Sequence, residues 1–448
     1  MYYLSKILVI ISAWACLLNY GCKKEPKQND NKNNKVNREL PGFYDINFKT
    51  IFSYQDNHNE HDEQIKKKLN AYYNHLWKDK NLSGGILVAR GNNILLEKYT
   101  GYSNFEKLTP ITSTTPVHVA SVSKILTSLI ILKLVEAEKI QLDQKVNTIL
   151  TSFPYPDITI ENLLTHRSGL PNYAYLADES KYWDKSKRMT NSDVANLFSS
   201  FDPPLLSKPG THFAYCNTNF ALLALIAEKI SKKSFPETAR LMVFEPLKMN
   251  HSYIFQEKDM DRATPSYYPQ GKPYAYDHLD LVYGDKNLYT TPKDLFKLSQ
   301  AMYAPNFLRK DLLNKMFTPY SNEKQGVKNY GLGMRMMIFD NGKKLTYHTG
   351  WWHGSNTIFV HLLDEKVTII ALGNKFSKVM YSALSLSSLF GNYPLHNQIA
   401  DLNEHDTTTL NTTNKILDTQ STESKLITDS LQKVKKTKKS ETVKKSKL

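Results

Sequence analysis

The 448-residue chain has 41% hydrophobic residues, ordinary for a globular protein and enough for one large core or two modest ones. Its formal net charge of +15 gathers at the two ends, in Lys23 to Arg38 and in the final run LQKVKKTKKSETVKKSKL, so the centre is only mildly basic. Those lysines lie in aromatic-free, Ser/Thr-rich sequence, which excludes a nucleic-acid surface, and three cysteines (Cys16, Cys22, Cys216) exclude a disulfide framework.

At the N-terminus, Lys6 precedes an apolar run from Ile7 to Leu18 that is too short to span a bilayer and reads as a signal peptide over residues 1–21. Gly21-Cys22 at the cleavage point, followed by abruptly polar sequence, reads as a lipoprotein signal with Cys22 as the acylated residue. A plain secretory signal with an incidental cysteine is the alternative. Residues 22–41 form a flexible spacer, residues 42–400 the globular domain, and residues 401–448 a disordered Lys-rich tail. The location expected is the cell envelope, with a membrane contact through the lipid anchor.

Within the body, apolar residues at Ile65, Leu69, Tyr72, Tyr73 and Leu76 have helical spacing, and GGILVAR with NILLEKYTGYS reads as a hairpin. From Ser121 the sequence SVSKILTSLIILKLVEAEKI is apolar nearly all round, a helix buried inside the domain. Further helices follow Asn217 and Thr291, the latter as an N-cap before Pro292. KKLTYHTG, SNTIFVHLLDE and KVTIIALGN read as three strands. Strands at both ends of the body with helices between them give an α/β fold of the α+β kind. It is an antiparallel sheet of chain-distant segments, covered by helices, with a helical region over the site.

Ser121 and Lys124 form an S-x-x-K motif, but so do Ser321 and Lys324 in the polar stretch PYSNEKQG. Context separates them: Ser121 starts an apolar helix, which puts its hydroxyl and the Lys124 ammonium on one face, near the positive helix N-terminus. A serine there is otherwise a helix cap. Two further motifs, Tyr215-Cys216-Asn217 and His348-Thr349-Gly350, decide for chemistry.

Together these motifs resemble the serine β-lactamase and penicillin-binding-protein superfamily, in its branch of class C β-lactamases, D-Ala-D-Ala carboxypeptidases and esterases. GYSNFE, NLLTHRSGLP, GDKNLYTTPKDL and NYGLGM extend the resemblance over nearly the whole body. It implies the β-lactamase/transpeptidase-like fold and an acyl-enzyme on Ser121. Lys124 and Tyr215 would handle its proton, Asn217 would orient a substrate amide or Lys124, and the Ser121 and Trp351 amides would form the oxyanion hole. A lysine is cationic and a tyrosine neutral near pH 7 by their reference values, yet the pair holds one proton set in either of two microstates, so the base is the pair.

Where class C enzymes have Lys-Thr-Gly, this chain has His348, largely neutral at pH 7, so demand for an anionic substrate weakens. The expectation is an ester or D-amino-acid amide or peptide, a small-molecule or peptide substrate, ahead of β-lactams. β-Lactamase activity proper, or a non-catalytic cell-wall-peptide scaffold of the same fold, is the alternative. Cys216 reads as a packed small residue, and Trp351 and Trp352 either line an apolar acyl pocket or turn one ring into the core. His58 with His61, His166 and His353 read as polar structural residues. With no metal-ligand or phosphate-loop pattern, neither metal nor cofactor is expected.

Overall fold

A computed structural model describes residues 60–395 apart from 79, 305 and 324. The signal peptide, Cys22, the spacer, the tail, His58 and Lys324 lie outside the described residues.

Helix α1 (Glu60–Leu76) buries Ile65, Leu69, Tyr72 and Tyr73, the stripe its spacing predicts. β1 (Gly84–Arg90) and β2 (Asn93–Thr100) form the hairpin. β3 (Tyr102–Asn104) pairs with β4 (Thr109–Pro110), and β5 (Val117–His118) leads through a 3-10 turn, Ala120–Val122, into α2 (Ser123–Glu136). A helical region follows: α3 (Ile160–Leu164), α4 (Tyr173–Ala177), α5 (Asn191–Phe201), α6 (Asn217–Ser231) and α7 (Phe235–Ala239). In it α6 is central, packing on α2, α3, α4, α5 and α7. β6 (Tyr253–Ile254) and β7 (Leu288–Thr290) join β5 in a small sheet, ordered β5-β7-β6. Then come α8 (Pro292–Ala301), α9 (Lys310–Met316), β8 (Lys328–Tyr330), β9 (Arg335–Ile338), β10 (Lys344–Trp352), β11 (Ser355–Leu362) and β12 (Val367–Gly373).

The main sheet is antiparallel with strand order β2-β1-β12-β11-β10-β9-β8, so the first hairpin docks on the last strand of the chain. β11 and β12 are buried at every position, which tells that both faces are covered. α1 and the 3-10 segment Lys378–Leu389 cover one face with a core that includes Trp77, Ile86, Tyr347, Ile358 and Leu384. On the other side α8 packs on β1 and β12, and the turn before α2 packs on β10 and β11.

Two helix starts show how local chemistry sets these boundaries. The Thr291 hydroxyl accepts from the Asp294 amide, with Pro292 at the first helical position, as its sequence predicts. By contrast, the helix expected from Ser121 begins at Ser123, because Ala120 has a left-handed backbone (φ 49°) that only a tight turn accommodates.

Candidate active site

The turn that carries Ser121 is clamped from three sides. The Val119 amide donates to Leu288 O (3.0 Å), Thr357 Oγ1 donates to Val119 O (2.8 Å), and Ser123 Oγ donates to Ala120 O (2.6 Å) while accepting from the Leu288 amide (3.0 Å). These bonds offset the cost of about 1 kcal/mol or more for a left-handed residue bearing a Cβ. Ser123, not Ser121, therefore does the local structural work. The α2 N-cap position falls on Val122, and no side chain caps it.

The Ser121 hydroxyl instead meets Lys124. Its Nζ lies 3.0 Å from Ser121 Oγ, 3.0 Å from Asn217 Oδ1 and 2.8 Å from the carbonyl of Asp285, on a residue with no solvent exposure. α2 can bury a lysine here because all three ammonium protons find acceptors. α2, α6 and the Gly284–Asn287 loop thus converge on one amine. Gly333 permits the close packing behind it: with φ +75°, a Cβ there would lie 1.7 Å from Ser128 Oγ on α2.

Tyr215 stands just before α6, and Lys124 Nζ lies 5.0 Å from the centre of its ring. The Tyr215 hydroxyl is buried and makes no hydrogen bond among the described residues. Two neighbours not singled out as functional press on the ring. His166 lies 4.3 Å away centre to centre, and the Arg335 guanidinium of β9 sits 4.6 Å over it. His166 accepts at Nδ1 from the Cys216 amide and Asn219 Nδ2 (both 3.1 Å), which locks the Tyr215-Cys216-Asn217 segment in place.

β10 supplies the opposite wall. His348 is buried; its Nδ1–H donates to the Thr349 carbonyl (2.8 Å), which can only accept, so Nε2 accepts from Tyr330 Oη (3.3 Å). Burial, then Arg335 and Lys124, push its pKa well below the usual histidine value, so this position is neutral. Positive charge nevertheless faces the site through Arg335, which the sequence pattern did not reveal. Gly350 lets β10 touch the Ser121 turn: a Cβ there would come within 2.3 Å of Val119 O and Thr357 Oγ1. Tyr381 Oη donates to Gly350 O at 2.9 Å and holds the strand from behind. Trp351 is 58% exposed, whereas Trp352 is half-buried with Nε1 donating to Asp280 Oδ1 (2.6 Å), so neither ring enters the main core.

Cys216 is a free, buried cysteine whose thiol pKa burial raises, the condition of an inert packed side chain. Cys216→Ala should retain turnover within about threefold, and the native protein should resist iodoacetamide until unfolded; mass-resolved alkylation checks this. Ser321 Oγ is buried without a hydrogen bond among the described residues, and Ser321 does not meet Ser121 or Lys124. His353, read from the sequence as a polar structural residue, has its Nε2 3.1 Å from Asp280 Oδ2 and 3.9 Å from Asp277 Oδ2.

Burial also holds His118 and His361 down to about 3 and, with Lys124 and Arg335 adding to it, His166 well below 6.5. With His348, these are bases whose folded pKa is depressed, so the unfolded chain binds more protons below about pH 6.5 and stability rises with pH. Their contribution is complete above that value and is lost progressively as pH falls from there toward the folded values, about 3 for His118 and His361. Each histidine should cost about 1.4 kcal/mol per pH unit well below pH 6.5, read as a falling melting temperature between pH 7.5 and pH 5.

With this geometry in place, the profile of the Beta-lactamase family matches residues 69–384. The chain belongs to the beta-lactamase family. It is 28% identical to Penicillin-binding protein 4* of Bacillus subtilis over 351 residues, covering 73% of this chain and 76% of that one. Against the Teichoic acid D-alanine hydrolase of Staphylococcus aureus it is 24% identical over 366 residues, 79% of this chain and 83% of that one. The crystal structure of a penicillin-binding protein from Bacillus halodurans superposes with a TM-score of 0.62 at 25% identity, covering 74% of this chain and all of that one. Family membership makes the protein a serine hydrolase with the beta-lactamase-like fold. Among the described residues no helix is long and apolar enough to cross a membrane.

Proposed function

We propose that the protein is an exported serine hydrolase that cleaves an ester or a D-amino-acid amide or peptide through a covalent acyl-enzyme on Ser121. The carrying observation is the buried Lys124 amine 3.0 Å from Ser121 Oγ, held by Asn217 and Asp285. As an ammonium it donates to all three; as an amine it keeps two donations and turns its lone pair to the serine proton. Ser121 Oγ then bonds to the acyl carbon while its proton passes to the Lys124–Tyr215 pair. The Tyr215 hydroxyl takes its hydrogen-bond partner from the bound substrate and hands a proton to the departing alcohol or amine. Amides of Ser121 and Trp351 stabilise the oxyanion, and water repeats the sequence to release the acid.

A neutral His348, its missing charge only partly restored by Arg335, supports esters and D-amino-acid derivatives ahead of β-lactams, and a relative named for D-alanine hydrolysis points the same way. Anchoring through acylated Cys22 would keep the domain at the envelope; loss of membrane fractionation in Cys22→Ala checks it. The functional test is a panel of nitrocefin, short acyl esters and D-Ala-D-Ala peptides, with intact-mass labelling by a fluorophosphonate. Turnover of esters or peptides and an adduct missing from Ser121→Ala are expected. Rapid cephalosporin clearance alone would reverse the ranking, and an equal adduct on Ser121→Ala would favour a scaffold.

A further inference from the structure

A hollow of about 140 Å³ is walled by Phe255, Tyr274, Tyr276, Tyr289, Trp352 and His353, with Asp280 among them. A cavity of about 150 Å³ accepts benzene, so this one suits a group of about six heavy atoms. It adjoins Ser121 along the chain in two directions. His118, in its wall, is three residues before Ser121, and Trp352 is two residues beyond Gly350, which touches the turn. Three residues of chain span at most about 10 Å.

The wall chemistry selects the occupant. Asp280 is 3% exposed, and its oxygens accept from Trp352 Nε1 (2.6 Å), the Asp277 amide (2.6 Å) and His353 Nε2 (3.1 Å). Burial works to raise its pKa, but the bond and the charge of His353, then the bonds from Asp277 and Trp352, prevail and hold it below the usual carboxylate value, so it is ionised. Asp277 adds a second carboxylate 3.9 Å from His353 Nε2. His118 is neutral, and the nearby Lys286 ammonium, 4.8 Å from the Trp352 ring, already has Asp285 at 3.5 Å and Tyr173 Oη at 2.6 Å. A buried carboxylate ringed by aromatic faces repels anions, wastes its charge on a hydrocarbon and attracts a cation through both charge and ring quadrupoles.

We propose that this hollow is an ammonium subsite, which takes a primary amine of the substrate lying a few bonds from the carbon that Ser121 attacks, with Asp280 as its counter-ion. The inference rests on the hydrolase reading above. The amine could belong to an aminoacyl group or to an amino-alcohol leaving group, and the substrates below separate the two.

The experiment compares kcat/KM for D-alanyl and N-acetyl-D-alanyl esters of one alcohol, and for acetyl esters of 2-aminoethanol and ethanol, in the full chain and in Asp280→Asn. The higher intrinsic reactivity of an α-ammonio ester is common to both proteins and cancels in the ratio. In one of the two pairs the preference for the amine should fall about tenfold in Asp280→Asn. Because Asp280 also anchors Trp352, Tyr276→Leu, which removes one aromatic face, should lower the same ratio about threefold, with melting temperature as the folding control. Ratios unchanged in both variants overturn the subsite. A preference abolished by EDTA and restored by zinc also overturns it, in favour of a divalent cation on Asp277, Asp280 and His353. Calorimetry of D-alaninamide with Ser121→Ala, and with the Ser121→Ala/Asp280→Asn double variant, is independent of turnover. Binding lost only in the double variant supports the subsite, and no binding to either overturns it. A wild type that turns over no ester and forms no fluorophosphonate adduct sinks the hydrolase reading alone.

Discussion

Lys124→Met should lower ester turnover by about 10³-fold or more while the protein still folds. A positioned acid–base group contributes about 10² to 10⁴ in rate, and no second amine touches Ser121 Oγ among the described residues. Methionine fills similar space without the charge. It leaves the Asp285 carbonyl and Asn217 Oδ1 without this donor, which costs, but it also removes a buried cation, which gains. The net change in unfolding free energy should stay within about 2 kcal/mol of wild type, so the loss is catalytic rather than a collapse of the fold. Steady-state kinetics on a nitrophenyl ester, paired with urea unfolding, measures both. Loss of activity by less than tenfold would remove Lys124 from the proton path.

Gly350→Ala should be nearly as severe for a different reason. The new methyl meets Val119 O and Thr357 Oγ1 at 2.3 Å, and the first of these is backbone that cannot swing aside. Either β10 retreats or the Ser121 turn shifts, and a displacement of about 1 Å between reacting groups costs about 10²-fold. The steric clash should also destabilise the protein by about 1–3 kcal/mol. The expected signature is a drop in kcat with fluorophosphonate labelling slowed in proportion, since both depend on the same turn. Thr357→Val tests the clamp without adding bulk, and a smaller loss of about tenfold is expected from freeing the Val119 carbonyl.

Much of this arrangement was legible in the sequence because its signals are local. The α1 stripe, the Thr291-Pro292 helix start and the three late strands each depend on neighbours within a turn or a pleat. The exact start of α2 was not legible, because it turns on Ala120 being forced left-handed by bonds to Leu288 and Thr357, residues far along the chain. The same limit hid Arg335 and Tyr330. The NYGLGM resemblance marks the segment that holds Tyr330 and ends just before Arg335, but it gives neither residue a role, and they reach the site only when β8 and β9 pair beside β10. The substitution of histidine at 348 pointed correctly to a neutral group there, but charge around a site is a sum over space, and Arg335 restores part of it. Asp285 lies in the GDKNLYTTPKDL segment that the resemblance marks, but it contributes through its carbonyl, an atom every residue possesses, so its residue type could not give its role.

The docking of β1 on β12, with Gly84 opposite Gly373, has a consequence for how the protein comes into being. The sheet cannot close until almost the entire globular body has left the ribosome, and such distant pairings form slowly. Ser121 lies early in the chain, yet the β10 wall and the Thr357 clamp that shape its surroundings arrive more than 200 residues later in synthesis. A partly made chain therefore carries Ser121 without the walls that surround it in the finished fold, and on the reading proposed above hydrolysis begins only once the last strand is home.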